Sequence, residues 1–156
     1  MQSQLPEIRV KVIPHDEQRY PTIGDYFEKR GRWEFRISRI GDARYEFLVF
    51  IHELVEWFLC WLRGIPEDEI MKFDLLFEWE IQQGKHPEDA EPGDDPRCPY
   101  RREHKFATKI EKLVAKEIEV DWDEYNAALD ELFKNPMMNM TNSEWLRGGV
   151  NFRTRR

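Results

Sequence analysis

Cysteine is scarce in this chain. Only Cys60 and Cys98 occur among 156 residues. They lie far apart in different local contexts, so no disulfide framework is expected. They fit a reducing compartment, with Cys60 read as a core residue. An apolar leader is also missing: MQSQLPEIRVKV contains no hydrophobic region of the signal-peptide kind, which points to a cytoplasmic location. No long hydrophobic run is free of ionisable groups. Residues 45–62 approach the length of a membrane span, but Glu46, His52, Glu53 and Glu56 inside them would be costly in lipid, so no membrane partner is expected. No internal repeat is visible. Positive charge is in deficit as well. The 24 Lys and Arg against 31 Asp and Glu leave a net charge of −7, which argues against nucleic acid as the main partner.

What is present is enough apolar material for a core. Hydrophobic residues make up 40 %, with ten Phe and six Trp, so global disorder is not expected. The reading is a single α+β domain over residues 1–134, with a C-terminal tail at 135–156. Glu7-Ile-Arg-Val-Lys-Val-Ile13 alternates, with Ile8, Val10 and Val12 on one face of a half-buried strand. Trp33-Glu-Phe-Arg-Ile-Ser38 alternates in the same way. Residues 20–27 are mixed and partly extended, and Gly31 is the pivot of a charged turn. A small antiparallel sheet is therefore expected, packed on three or four helices.

The chain is organised around residues 44–63, RYEFLVFIHELVEWFLCWLR. On a helix at about 100° per residue, His52, Glu56, Glu53 and Glu46 share one arc with Tyr45 and Cys60. Roughly two thirds of the circumference is apolar, which is the pattern of a helix buried on most sides. His52 and Glu56 are four apart, one above the other, and can reach one ion together. Glu53 stands to one side, where it can hold a water bound to that ion. The pattern is H-E-x-x-H with Glu in place of the second His.

Three further helices follow. The first starts at Ile65-Pro66 and runs to about Gln83, with Asp74 and Glu78 as an acid pair read as a solvated face. Residues 84–99, with four prolines and two glycines, form the one long loop, either a lid or a connector. The next helix runs from about Tyr100 to Glu119. The last opens on Asp121 as N-cap, with Glu124 three residues on, and ends before Asn135-Pro136. In the tail a short helix around Ser143–Arg147 and an Arg-rich end (Arg153, Arg155, Arg156) are the only features.

A catalytic zinc site takes three protein ligands and leaves one position open. His52 and Glu56 supply two, and His104 is the third candidate, because the long loop can bring its helix across the first. Glu103 and Glu111 are alternative ligands, or carboxylates that orient His104. Cys98 ranks lower, His86 is assigned to a flexible loop, and His15 to a solvated one. The chemistry expected is metal-assisted hydrolysis of a peptide or small molecule. Zinc or another divalent ion polarises the carbonyl and acidifies water, and Glu53 acts as catalytic base.

The strand–strand–helix order leading into His52-Glu53-Leu54-Val55-Glu56 resembles the core of zincin-type metallopeptidases over residues 33–63. That resemblance implies a ligand role for His52 and a base role for Glu53. It departs from the pattern at Glu56, where zincins usually have a second His. The string Gly24-Asp25-Tyr26, Arg44-Tyr45-Glu46, HELVE, Pro99-Tyr100 and Glu103-His104 is also similar to an uncharacterised phage and bacterial family. Two other functions compete. Glu53-x-x-Glu56 with Asp74 and Glu78 resembles the magnesium-binding clusters of all-α nucleotide pyrophosphohydrolases. A non-catalytic accessory protein with a structural metal is the other.

Overall fold

The computed structural model describes residues 4–134. The features expected around Ser143–Arg147 and at the Arg-rich end lie outside them. Within them the chain is α+β. Strands β1 (Ile8–Ile13), β2 (Gly24–Lys29) and β3 (Arg32–Ser38) are followed by helices α1 (Ala43–Arg63), α2 (Glu67–Gln82), α3 (Arg101–Glu117) and α4 (Trp122–Phe133).

The sheet is mixed rather than antiparallel. Its order is β1-β3-β2, with β3 central, parallel to β1 and antiparallel to β2. The β2–β3 hairpin turns on Arg30 (φ 54°) and Gly31 (φ 75°). Positive φ at both central residues matches the right-handed twist of the flanking strands. Residues 14–23 then carry the chain from β1 to the far edge, leaving the central position for β3. This connection is tied down by polar contacts. The Gln18 amide donates to the carbonyls of Ile23 and Arg36, and His15 Nδ1 lies 2.9 Å from Ser38 Oγ. His15 is thus buried rather than solvated, and burial lowers its pKa.

The β3 alternation holds. Phe35 and Ile37 are fully buried, and Trp33 packs on Trp57 at 5.4 Å between ring centroids. The β1 alternation gives only a partly covered face: Ile8 packs on the cluster around Trp57, while Val10 and Val12 are 46 % and 40 % exposed. The physical reason is that α1 packs chiefly across β2 and β3.

Helix α1 starts at Asp42, whose side chain accepts from Arg44 N, and ends at Gly64 with φ 68°. Glu46, although on the polar arc, is spent at the helix start, accepting from the amides of Ile40 and Gly41. Along its length α1 joins two apolar clusters. Leu48 and Val49 meet Ile37, Ala115 and Tyr125, while Trp57 and Cys60 meet Tyr26, Phe35 and Tyr100. Residues 52–56 fall between the two. Helix α3 approaches α1 closely because it turns the small, buried Ala107 and Ala115 inward. Among the described residues no helix is long and apolar enough to cross a membrane.

The acid pair of α2 is not a solvated face. Asp74 and Glu78 are both largely withdrawn from water. Burial alone raises the Glu78 carboxyl to about 7. In the unfolded chain the same group releases its proton near pH 4.3, about the ordinary Glu value. Glu78 therefore lowers stability progressively as pH rises from about 4 to about 7. Glu78→Gln is expected to leave Tm nearly unchanged at about pH 4 and to raise it at about pH 8. Thermal unfolding at the two pH values checks this, and an equal shift at both would contradict the burial of this carboxyl.

Candidate metal centre

Three donor atoms converge between the two apolar clusters. His52 and Glu56 come from successive turns of α1, and His104 comes from the first turn of α3. His52 Nε2 is 3.3 Å from Glu56 Oε2 and 3.1 Å from His104 Nδ1, and His104 Nδ1 is 3.0 Å from Glu56 Oε2. Two imidazoles and one carboxylate therefore form a nearly equilateral triangle. Protons alone satisfy such a triangle poorly, since each N–H serves one edge well. A divalent ion satisfies all three atoms at once. With zinc–ligand bonds of about 2.0–2.1 Å, a tetrahedral site has ligand–ligand edges of about 3.3 Å. The observed edges fit that geometry with a small expansion.

The atom of each ligand that points away from the triangle is held by a further group. His52 Nδ1 lies 2.8 Å from Glu111 Oε2, and the Tyr125 hydroxyl donates to Glu111 Oε1 at 2.6 Å. His104 Nε2 lies 3.2 Å from Glu91 Oε2. The Tyr26 hydroxyl donates to Glu56 Oε1 at 3.1 Å. Glu111 accepts from the Nδ1–H of His52 and Glu91 from the Nε2–H of His104, so the protons an ion would displace are those on the two inner nitrogens. Carboxylates that orient metal-ligating imidazoles in this way raise their basicity as well.

The electrostatics are those of a strongly coupled cluster. Burial pushes both imidazoles down, but the carboxylates prevail. Glu111 and Glu56 hold His52 well above its ordinary value, and Glu56 with Glu91 lifts His104 to about 10. Burial disfavours the Glu56 anion, yet the two imidazoles bring it down to about 2. Glu53 has no such partner. Burial first, then the Glu56 charge, raises its carboxyl well above the usual range. Burying this many ionisable groups is expensive for a fold of this size, and perturbed groups gathered in a cleft mark a functional site.

The triangle lines a cavity of about 190 Å³, along with Glu53, Asp74 and Tyr100. Asp74 accepts from the hydroxyls of Tyr20 and Tyr100, and burial raises its carboxyl to about 7. Among the described residues no Lys or Arg lines this cavity, but Arg19 pairs with two of its carboxylates, Asp25 and Glu67. Two glycines shape it. A Cβ on Gly24 would lie 2.5 Å from Glu53 Cγ, and one on Gly93 would lie 2.3 Å from His104 Cγ. The long loop thus folds over the site: Gly93 packs on one face of His104 while Glu91 binds its outer nitrogen.

Of the residues expected at the site, the structure brings together His52, Glu56, His104 and Glu111, and places Glu53 on the same cavity. Glu111 orients His52 rather than His104. Glu103 does not join them. It is buried on another side of α3, paired with Arg63 of α1. Cys98 is buried in the second apolar cluster. His86 is not loose: it stacks on Phe77 at 4.3 Å and lies 2.8 Å from Glu80. Sequence reasoning missed Glu91, Tyr26 and Tyr125 as supporting groups. Tyr125 was legible as an inward residue of α4, but Glu91 sits in irregular chain with no periodicity to mark it.

No protein-family model matches this chain, and neither the curated proteins nor the solved structures include a match to it.

An ion entering the triangle must displace protons from it. Both imidazoles are protonated in the ion-free triangle at neutral pH, so two protons leave and apparent zinc affinity is expected to rise by up to about a hundredfold per pH unit from about pH 6 to 8, as read by competition with a chromophoric chelator. Glu111→Gln should weaken binding by about 10- to 100-fold. Gly93→Ala, which forces the His104 ring aside, should weaken zinc binding while leaving the far-UV circular dichroism spectrum intact. Unchanged affinity in both variants would show that the triangle is not the binding site.

Proposed function

We propose that the protein is a zinc-dependent hydrolase of peptidase type, with His52, Glu56 and His104 as ligands and Glu53 as catalytic base. One observation carries this reading: three donor atoms at coordination spacing, each with its outer atom held by a separate group. Two imidazoles with one carboxylate is a donor set used by catalytic zinc, and it favours zinc over magnesium, which prefers oxygen ligands. The succession of β3 and α1 also supports a zincin-like core over residues 33–63.

Zinc bound there would polarise a carbonyl and lower the pKa of water. The protein's own groups supply the rest. The Glu56 carboxylate is locked by Tyr26, and both imidazoles are locked by carboxylates, so the ligands need little reorganisation. The Glu53 carboxyl, pushed upward by burial, is tuned to accept a proton from the attacking water and return it to the leaving amine. Gly24 leaves the space that this side chain occupies. On the cavity wall Asp25 and Glu67 are paired with Arg19 and Asp74 is held by the Tyr20 and Tyr100 hydroxyls, so the wall is lined by groups already matched and favours no charge of substrate. The pyrophosphohydrolase reading is supported less, because two of the three converging donors are imidazoles rather than the carboxylates that hold magnesium. A structural metal in an accessory protein is supported less, because the three ligands open onto a cavity.

The test is metal analysis of the protein purified without chelator, followed by turnover of quenched fluorescent peptides by the zinc-loaded form. Wild type should carry near-stoichiometric zinc and cleave, His52→Ala should carry none, and Glu53→Gln should bind zinc but lose about 10²- to 10⁴-fold in kcat. Zinc binding without peptide turnover would leave the site standing and reject the peptidase assignment. Absence of zinc after reconstitution would reject both.

A further inference from the structure

Helix α3 has two opposed faces. His104 and Glu111 lie on the buried one. On the other, Arg102, Lys105, Lys109, Lys112 and Lys116 all fall within an arc of about 80°, and all five are exposed. No acidic residue shares the arc, and among the described residues none of the five forms an ion pair. The row extends about 21 Å along the helix axis, with a cation about every 5 Å. In a chain of net charge −7, the positive groups are therefore segregated, and the average conceals a strongly basic surface.

Two apolar side chains line one edge of this row: Phe106 is 48 % exposed and Leu113 65 %. At its N-terminal end the row borders an open groove of about 820 Å³ between α1 and α3. Leu59 forms one wall, and Arg101, Arg102, Lys105, Phe106 and Lys109 form the other. Arg63 is held at its edge by Glu103.

We propose that this groove and the outer face of α3 bind single-stranded nucleic acid without sequence preference. A positively charged groove that follows a phosphate backbone, with an exposed aromatic ring on which a base stacks, is how such strands are held. The regular row of cations supplies the backbone contacts, since Lys binds phosphate as a point charge without reading the base. Phe106 supplies the stacking platform. Phe106 and Leu113 stand about 10 Å apart along one edge of the cation row, so the face offers no continuous apolar sheet for lipid. The surface is separate from the metal centre, with the thickness of α3 between them, and stands whether or not that centre is catalytic.

The test uses the full chain and a short fluorescein-labelled oligothymidylate, followed by fluorescence anisotropy between about 50 and 200 mM salt. Binding should weaken steeply with salt. Lys105→Glu with Lys109→Glu should reduce the slope of log affinity against log salt by about 1.4, at about 0.7 per contact. Phe106→Ala should lower affinity about 5- to 100-fold without changing the slope. Lys29→Glu with Lys72→Glu, an equal change of net charge on remote exposed residues, should alter both far less. Four results would each overturn the proposal: no binding at about 50 mM salt, equal losses in the control pair, tighter binding to the same oligothymidylate annealed to its complement, or tighter binding to phosphatidylserine vesicles or polyglutamate than to the strand.

Discussion

The structure depends on one electrostatic constraint. The Glu56 carboxylate, 5 % exposed, is kept in the interior by two imidazoles from different helices. Taken alone, a buried carboxylate would have to give up its charge or its burial. Here it keeps both, because α1 and α3 cross where His52 and His104 can flank it. The small residues on the inner face of α3, the Tyr26 hydroxyl from β2 and the Tyr125–Glu111 pair from α4 and α3 all serve that arrangement. The two apolar clusters on either side hold α1 rigidly enough to keep the three atoms in place.

This design uses stability rather than supplying it. Apolar side chains of similar volume would hold α1 to α3 at least as well. A fold that instead buries His52, Glu56, His104, Glu111 and Glu53 together spends free energy on a preorganised polar site. Preorganisation is what metal binding and proton transfer both need, because the supporting groups are already in position when the ligand arrives.

Local features were legible in the sequence and non-local ones were not. The extent of α1, the Asp121 cap of α4 and the shared reach of His52 and Glu56 follow from spacing along one helix. The approach of His104 was inferred from loop length and matches the structure. Glu111 reads in sequence as a ligand or as the carboxylate orienting His104, its neighbour on one face of α3, whereas it reaches across to His52 of α1, a contact that spacing along α3 cannot reveal. Glu103 looked equivalent to Glu111 because helix phase alone does not say that Arg63 waits on its side. The sheet was read as antiparallel because alternation reveals strands but not the path of residues 14–23. The exposure of Val10 and Val12 had the same origin: the alternation predicts a face, and the position of α1 decides whether anything covers it.

The fold of the α2–α3 loop over His104 has a kinetic consequence. Glu91 and Gly93 act as a clasp on a ligand rather than as part of the coordination set. Release of an ion would require the clasp to lift before the imidazole could swing away, so residence time would be set by loop opening rather than by bond strength alone. Pro87, Pro92, Pro96 and Pro99 restrict the conformations that an opened loop can explore, which lowers the entropy gained on opening and favours reclosure. Two proteins with the same three ligands and the same equilibrium affinity would then differ in how fast they exchange metal with their surroundings.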